Sequence, residues 1–256
     1  MYTLIETPIQ YYATIVPNMV KKLVKNVLRH FGKRISNYYA PAMPFDDGME
    51  FLKSFIDTPA WIIDIGAADG TPGLTETFPM DTYKHLLVDP APNFSTYLKD
   101  CKEKYPETVF TENCFCGDGA TKTIELNVNE TGYRSSRYVE TQKKITVPVK
   151  TLDEMAAAYE ITGPVILKID VEGAELDVLR GGPETLKKCD VVILETWINS
   201  HFTTGAVSFA DLVAFMKESG FVVFDFFGGH THKSGVLRQV DTVFVKEDSR
   251  YRTITK

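Results

Sequence analysis

The sequence predicts an α/β fold: an open, Rossmann-like sheet, mostly parallel, with helices on both faces. Three observations lead there. Apolar runs with little alternation recur at residues 61–65, 85–88, 165–169 and 191–194, as central strands covered on both sides require. Each run carries or meets an acid at its carboxyl end, in turn Asp64, Asp89, Asp170 and Glu195. That rim is where ligands bind in open α/β sheets. A glycine-rich turn follows the first run and opens a helix, the usual cradle for a nucleoside-containing cofactor.

The chain of 256 residues is long enough for one large domain with a full core and an appended segment. We divide it into an N-terminal helical extension, 1–45, and a main domain, 46–256. No run approaches the roughly 18 apolar residues of a membrane span. Nor is there a basic stretch leading into an apolar one at the start, so no secretory signal is expected. A net charge of −6 argues against a dedicated nucleic-acid surface. Cys114 and Cys116 have the wrong spacing for a CxxC knuckle, and with Cys101 and Cys189 they read as reduced thiols of a cytoplasmic protein. Oligomeric state is not legible.

Residues 17–34 place Val20, Leu23, Val24, Val27, Leu28 and Phe31 at helical spacing, with lysines and arginines elsewhere around the wheel. Such a helix packs on its own domain or lies peripherally on an anionic membrane. A Pro-punctuated linker follows at 38–44, then a short helix over 46–56.

Residues 61–65 form the first strand, and Gly66 to Gly73 the turn. Gly66 permits the bend, while Ala67, Asp69 and Gly70 line the close approach of the backbone to a ligand. The glycine spacing is not G-x-G-x-x-G, so the dinucleotide fingerprint fails. Asp64 and Asp69 would repel a pyrophosphate and attract an amino group, which favours S-adenosylmethionine over NAD. Asp89, before Pro90, closes the second strand where a carboxylate meets ribose hydroxyls. Residues 108–113 form the third strand. Its exit loop offers Cys116, Gly117 and Asp118 to the adenine side of such a site.

Residues 123–129 and 144–150 alternate apolar and polar, predicting a hairpin added beyond the third strand, with Arg134 and Arg137 in its loop. Thr151 and Glu154 have capping-box spacing and begin a helix. Then comes the stretch around which the chain is organised, 165–182. Lys168, Asp170 and Glu172 share one strand face there. Burying them is costly unless they are paired or useful. They form either a lysine–carboxylate lock on the strand end or a functional tip. Glu195 ends the fifth strand, and the rim loop after it carries Trp197, Asn199 and His201. A helix over 207–219, a strand over 221–226, a loop over 228–235 with His230 and His232, and a strand over 239–245 complete the chain. Two histidines at i, i+2 with no third ligand make no metal site.

These residues resemble the FkbM family of S-adenosylmethionine-dependent methyltransferases. The match lies in Ile63-Asp-Ile-Gly-Ala-Ala-Asp-Gly70, Val88-Asp-Pro-Ala-Pro92 and, most specifically, Leu167-Lys-Ile-Asp-Val-Glu-Gly-Ala-Glu175. It covers about residues 60–200. The resemblance implies a seven-stranded methyltransferase sheet with an antiparallel last strand, S-adenosylmethionine as cofactor, and O-methylation of a sugar, glycan or polyketide-type hydroxyl. The chain departs from the family in having Ala68-Asp69 where many members have Asn, and Asp89 where Glu is more usual. Asp170 is the first choice for the base that takes the hydroxyl proton. Glu172, Glu195 and His201 stand behind it, and Lys168 tunes Asp170. The carboxylates could instead hold a divalent metal. An NAD-linked oxidoreductase and a binding module without chemistry are the rival readings.

Overall fold

The computed structural model describes residues 43–54, 56, 59–131, 143–198, 207–232 and 234–253, all within the unit Pro41–Lys256. The helix expected over 17–34, the loop with Arg134 and Arg137, and His201 lie outside the described residues. The strands are β1 (Trp61–Ile65), β2 (Lys84–Val88), β3 (Val109–Glu112), β4 (Phe115–Cys116), β5 (Thr123–Val128), β6 (Lys143–Lys150), β7 (Val165–Ile169), β8 (Cys189–Trp197), β9 (Phe221–Thr231) and β10 (Leu237–Lys246). The helices are α1 (Phe45–Lys53), α2 (Pro72–Thr77), α3 (Ser95–Lys104), α4 (Leu152–Ala158), α5 (Glu175–Arg180), α6 (Pro183–Leu186) and α7 (Phe209–Glu218).

Seven strands form one sheet in the order β3-β2-β1-β7-β8-β10-β9. Only β10 is antiparallel to its neighbours, as the resemblance implies for the last strand. It is inserted between β8 and β9. The chain reverses its direction of strand addition between β1 and β7, which opens a crevice at their carboxyl ends.

Each face of the sheet buries its own apolar layer. On one face Ile63, Leu167 and Leu194 pack with Met155 of α4, Val178 of α5 and Leu212 of α7. On the other, Ile62, Ile166, Ile193 and Val243 pack with Met49 and Leu52 of α1 and Leu74 of α2. The second layer positions the site. Two residues nearer the rim on each strand, on that same face, its apolar side chains give way to Asp64, Lys168, Glu195 and Asp241.

The hairpin forms where the alternation predicts it, pairing Thr123 with Pro148 through Val128 with Lys143. It is not an extension of the main sheet. Instead β6 pairs with β4 in a separate three-stranded sheet, because Phe115, Leu126, Val128, Val147 and Val149 bury one another in a cluster of their own. The capping box is present, with the Glu154 N–H donating to Thr151 Oγ1 at 3.0 Å and the Thr151 N–H to Glu154 Oε2 at 2.8 Å.

A second difference concerns 228–231, expected as loop. Gly228 and Gly229 adopt φ of +63° and +120°, and register shifts beside them let β9 run on through Thr231. Among the described residues, no helix is long and apolar enough to cross a membrane.

Candidate functional site

A cavity of ≈ 500 Å³ lies over the carboxyl ends of β1, β2, β7 and β8 and the rim of the β9–β10 hairpin. Its first wall is the turn after β1. The Gly66 and Ala67 N–H groups donate to the Val88 carbonyl, tying the turn to β2 at 2.8 and 3.1 Å. Gly66 is required there: its φ is +85°, and a Cβ would stand 1.8 Å from the Asp170 carbonyl oxygen. Asp89 supports the turn from the other side. Its carboxylate accepts from the Ala68 N–H at 3.0 Å and the Ala91 N–H at 2.8 Å, and burial pushes it up to about 6. Ala67, Asp69, Gly70, Pro90 and Cys116 line the same wall. Phe94 and Phe115 also line it, two aromatic faces that sequence reasoning missed. Gly117 and Asp118 do not line it; the Asp118 carboxylate turns back onto the Ala120 N–H at 3.0 Å.

Asp64 is a correction to the expected ligand contact. It is wholly buried and outside the lining, and it accepts from Thr71 Oγ1 at 2.8 Å. Parallel pairing sets Asp64 beside Lys168, so it reads the neighbouring strand's ammonium rather than a ligand's. Lys168 donates to Asp170 Oδ2 at 2.8 Å and is buried. Burial alone would push its ammonium down, but Asp170, Asp64 and Asp241 outweigh that and hold it above the usual lysine range. Burial raises Asp64, with Lys168 opposing, and raises Asp241 to about 7. Thus one buried cation serves carboxylates from β1, β10 and the tip of β7.

Asp170, Glu172 and Glu195 converge in the centre of the cavity, with carboxylate oxygens within 4.8 Å of one another. Glu172 takes a left-handed φ of +53°, followed by Gly173 at +103°. Glu175 holds that bend from below: its Oε1 accepts from the Gly173 N–H at 3.0 Å and the Val171 N–H at 3.4 Å. Glu195 is pushed well up, first by burial and then by the negative charges of Asp170, Glu172 and Asp241. Gln239 on β10 donates from Nε2 to Glu195 Oε2 at 3.1 Å. Gln239 and Asp241 were missed in the sequence. Their signal was there: an amide and an acid two apart in a strand, 239–245, that is apolar elsewhere except at Thr242. His230 lines the cavity, while His232 is bonded to Ser234 Oγ at 2.9 Å.

A glycine turn after β1, an acid closing β2 and a cavity at the switch point are the features of a Rossmann-like methyltransferase fold. The methyltransferase FkbM domain matches residues 64–223, more than half of the chain, and the chain belongs to that family. It is 26% identical over 110 residues to the hexuronic acid methyltransferase AglP of Haloferax volcanii, a match that spans 43% of this chain and 46% of the relative, so less than half of the relative's length is covered. Similar solved structures include M. capricolum TrmK with S-adenosylhomocysteine, at 12% identity and a TM-score of 0.44 over 78% of this chain and 68% of that one. Another is the Burkholderia thailandensis 1,6-didemethyltoxoflavin-N1-methyltransferase, at 10% identity and a TM-score of 0.43 over 97% and 94%.

Proposed function

We propose that the chain is an S-adenosylmethionine-dependent O-methyltransferase acting on a hydroxyl of a sugar, glycan or related natural product, in the cytoplasm. The observation that carries this reading is Asp170, a carboxylate facing the cavity beside the glycine turn and held at one oxygen by a buried lysine. The similar AglP, named for an acidic sugar, supports a carbohydrate acceptor. The wall fits the cofactor: a left-handed glycine turn, a carboxylate beside it and two aromatic faces.

Residues 66–70 and Asp89 would hold the amino acid and ribose portions, with Phe94, Phe115 and Cys116 beside the base. When bound, S-adenosylmethionine supplies a methyl group on a sulfonium, whose departure leaves a neutral thioether. Asp170 takes the acceptor's hydroxyl proton at Oδ1, since Oδ2 receives the Lys168 hydrogen bond. Lys168 orients Asp170 through their hydrogen bond and, itself held above the usual lysine range, is no base. Glu195 and Glu172, beside Asp170, orient the acceptor's neighbouring hydroxyls. Holding acceptor and donor in line supplies much of the remaining acceleration.

Calorimetry with S-adenosylmethionine and S-adenosylhomocysteine, followed by methyl transfer to a panel of sugars, tests the reading. Asp170→Asn is expected to bind S-adenosylhomocysteine normally and to lose about 10²- to 10⁴-fold in kcat. A wild-type chain that binds neither compound overturns the cofactor; full activity of Asp170→Asn overturns the base.

A further inference from the structure

We propose that His230 contacts the acceptor, turned onto the cavity by a β-bulge at Gly228–Gly229 and hydrogen-bonded there to an acceptor hydroxyl. The inference rests on the methyltransferase reading above and adds a residue that holds the second substrate. Along the rim the strands stand in the order β2, β1, β7, β8, β10, β9. The glycine turn and Asp89 occupy the β1–β2 end, and Asp170 and Glu195 the middle. His230 lines the cavity from β9, four strand spacings or about 19 Å from β1. A side chain at that end meets the acceptor rather than the cofactor.

The backbone register explains why this histidine faces inward. Asp241 pairs with Phe227 and Gln239 with His230, so β9 advances three residues where β10 advances two. Successive side chains alternate between the faces of a strand. In an unbroken β9, Gly229 would share the face of Phe227, and His230 would point to the other side. Phe227 packs in the layer of Ile193 and Val243, the face whose rim carries Glu195 and Asp241. One extra residue reverses that assignment and sets His230 opposite Gln239 on the face of the acids. The sequence builds the bulge in. Gly228 and Gly229 have φ of +63° and +120°, and a Cβ at Gly228 would stand 2.8 Å from Asp241 Oδ2. Gln239, directly across from His230, holds Glu195. The imidazole thus stands one strand beyond the amide that fixes an acid of the acceptor side. His230 is exposed at the cavity mouth, whereas the His232 ring is bonded to Ser234 Oγ at 2.9 Å. A neutral imidazole offers one donor and one acceptor nitrogen, which matches a hydroxyl. His230 lies beyond the matched residues 64–223, so the domain match does not assign it.

The test uses the full chain saturated with S-adenosylhomocysteine and titrated calorimetrically with methyl glucoside, methyl galactoside and methyl mannoside. Wild type is expected to bind at least one of them. His230→Phe keeps a ring and removes both nitrogens, and should weaken the sugar that binds by about three- to tenfold. His230→Gln or His230→Asn, each with an amide in place of a ring nitrogen, should recover part of the loss. S-adenosylhomocysteine affinity should be unchanged in all three variants, which also shows that they are folded. The proposal falls if His230→Phe binds the sugar as wild type does or if neither amide variant recovers anything. It falls equally if S-adenosylhomocysteine affinity drops in step, which marks a residue of the scaffold. Failure of wild type to bind S-adenosylhomocysteine would strike the methyltransferase reading, and failure to bind all three sugars the carbohydrate acceptor; either takes the proposal with it.

Discussion

Replacing Lys168 with methionine removes the one ammonium shared by Asp64, Asp170 and Asp241 while keeping most of its volume. Breaking a buried ion pair from one side costs about 3–5 kcal/mol, because the other charge stays buried without compensation. Asp170 has 32% of its side chain exposed, so solvent screens its share; Asp64 is wholly buried and pays in full. A loss of about 3–4 kcal/mol at pH 8 is expected, a large part of the 5–15 kcal/mol typical of a domain. The loss has a defined pH dependence. Lys168, raised in the folded protein, contributes fully below the ordinary lysine range, so wild type keeps this contribution throughout pH 5–8. In the variant, Asp64 and Asp241 lose the charge that opposed their rise. They take up protons as pH falls, and part of the deficit disappears at pH 5. Urea unfolding at pH 5 and pH 8 reads this directly, and adding Asp241→Asn should restore part of the pH 8 stability. A deficit below about 1 kcal/mol, or one equal at both pH values, would refute the shared-cation account.

Gly66→Ala should cost more than Gly220→Ala in thermal unfolding. Both glycines have positive φ, worth about 1–2 kcal/mol for any other residue, but a Cβ at Gly220 meets nothing within 4 Å while one at Gly66 overlaps the Asp170 carbonyl. Asp89→Asn should weaken S-adenosylhomocysteine binding about tenfold at pH 8. Since Asp89 sits at about 6, wild-type affinity should fall between pH 7 and pH 5 while the variant's stays flat in calorimetry. Glu175 is raised to about 7 by burial, so the folded protein holds its proton from about pH 4.5 to 7 and loses stability as pH rises through that window. Glu175→Gln should flatten that slope by about 3 kcal/mol in urea melts, and an unchanged slope would count against it.

The central strands, the glycine turn and Asp170 were legible because local signals specify them: apolar runs without alternation, a glycine just after a strand, an acid at its tip. What escaped depends on which strands become neighbours. Asp64 read as a ligand contact because its distance from the turn is right; only the β1–β7 register reveals Lys168 beside it. Asp241 and Gln239 lie more than 40 residues from Glu195, and an antiparallel insertion brings them together. The strand through Gly228 and Gly229 escaped for a different reason. Adjacent glycines usually mark a turn, and a bulge needs the same backbone freedom. The hairpin's alternation fixed its pairing but not the sheet it joins, which Phe115 and its apolar neighbours decide.

The insertion of β10 between β8 and β9 sets the last strand of the chain beside the strand that carries Glu195. Residues 64–223 carry the turn, Asp170 and Lys168. The β9–β10 hairpin comes later in the chain, bringing with it both Asp241 and Gln239. A chain halted before residue 237 would lack both the Asp241 partner of Lys168 and the Gln239 partner of Glu195.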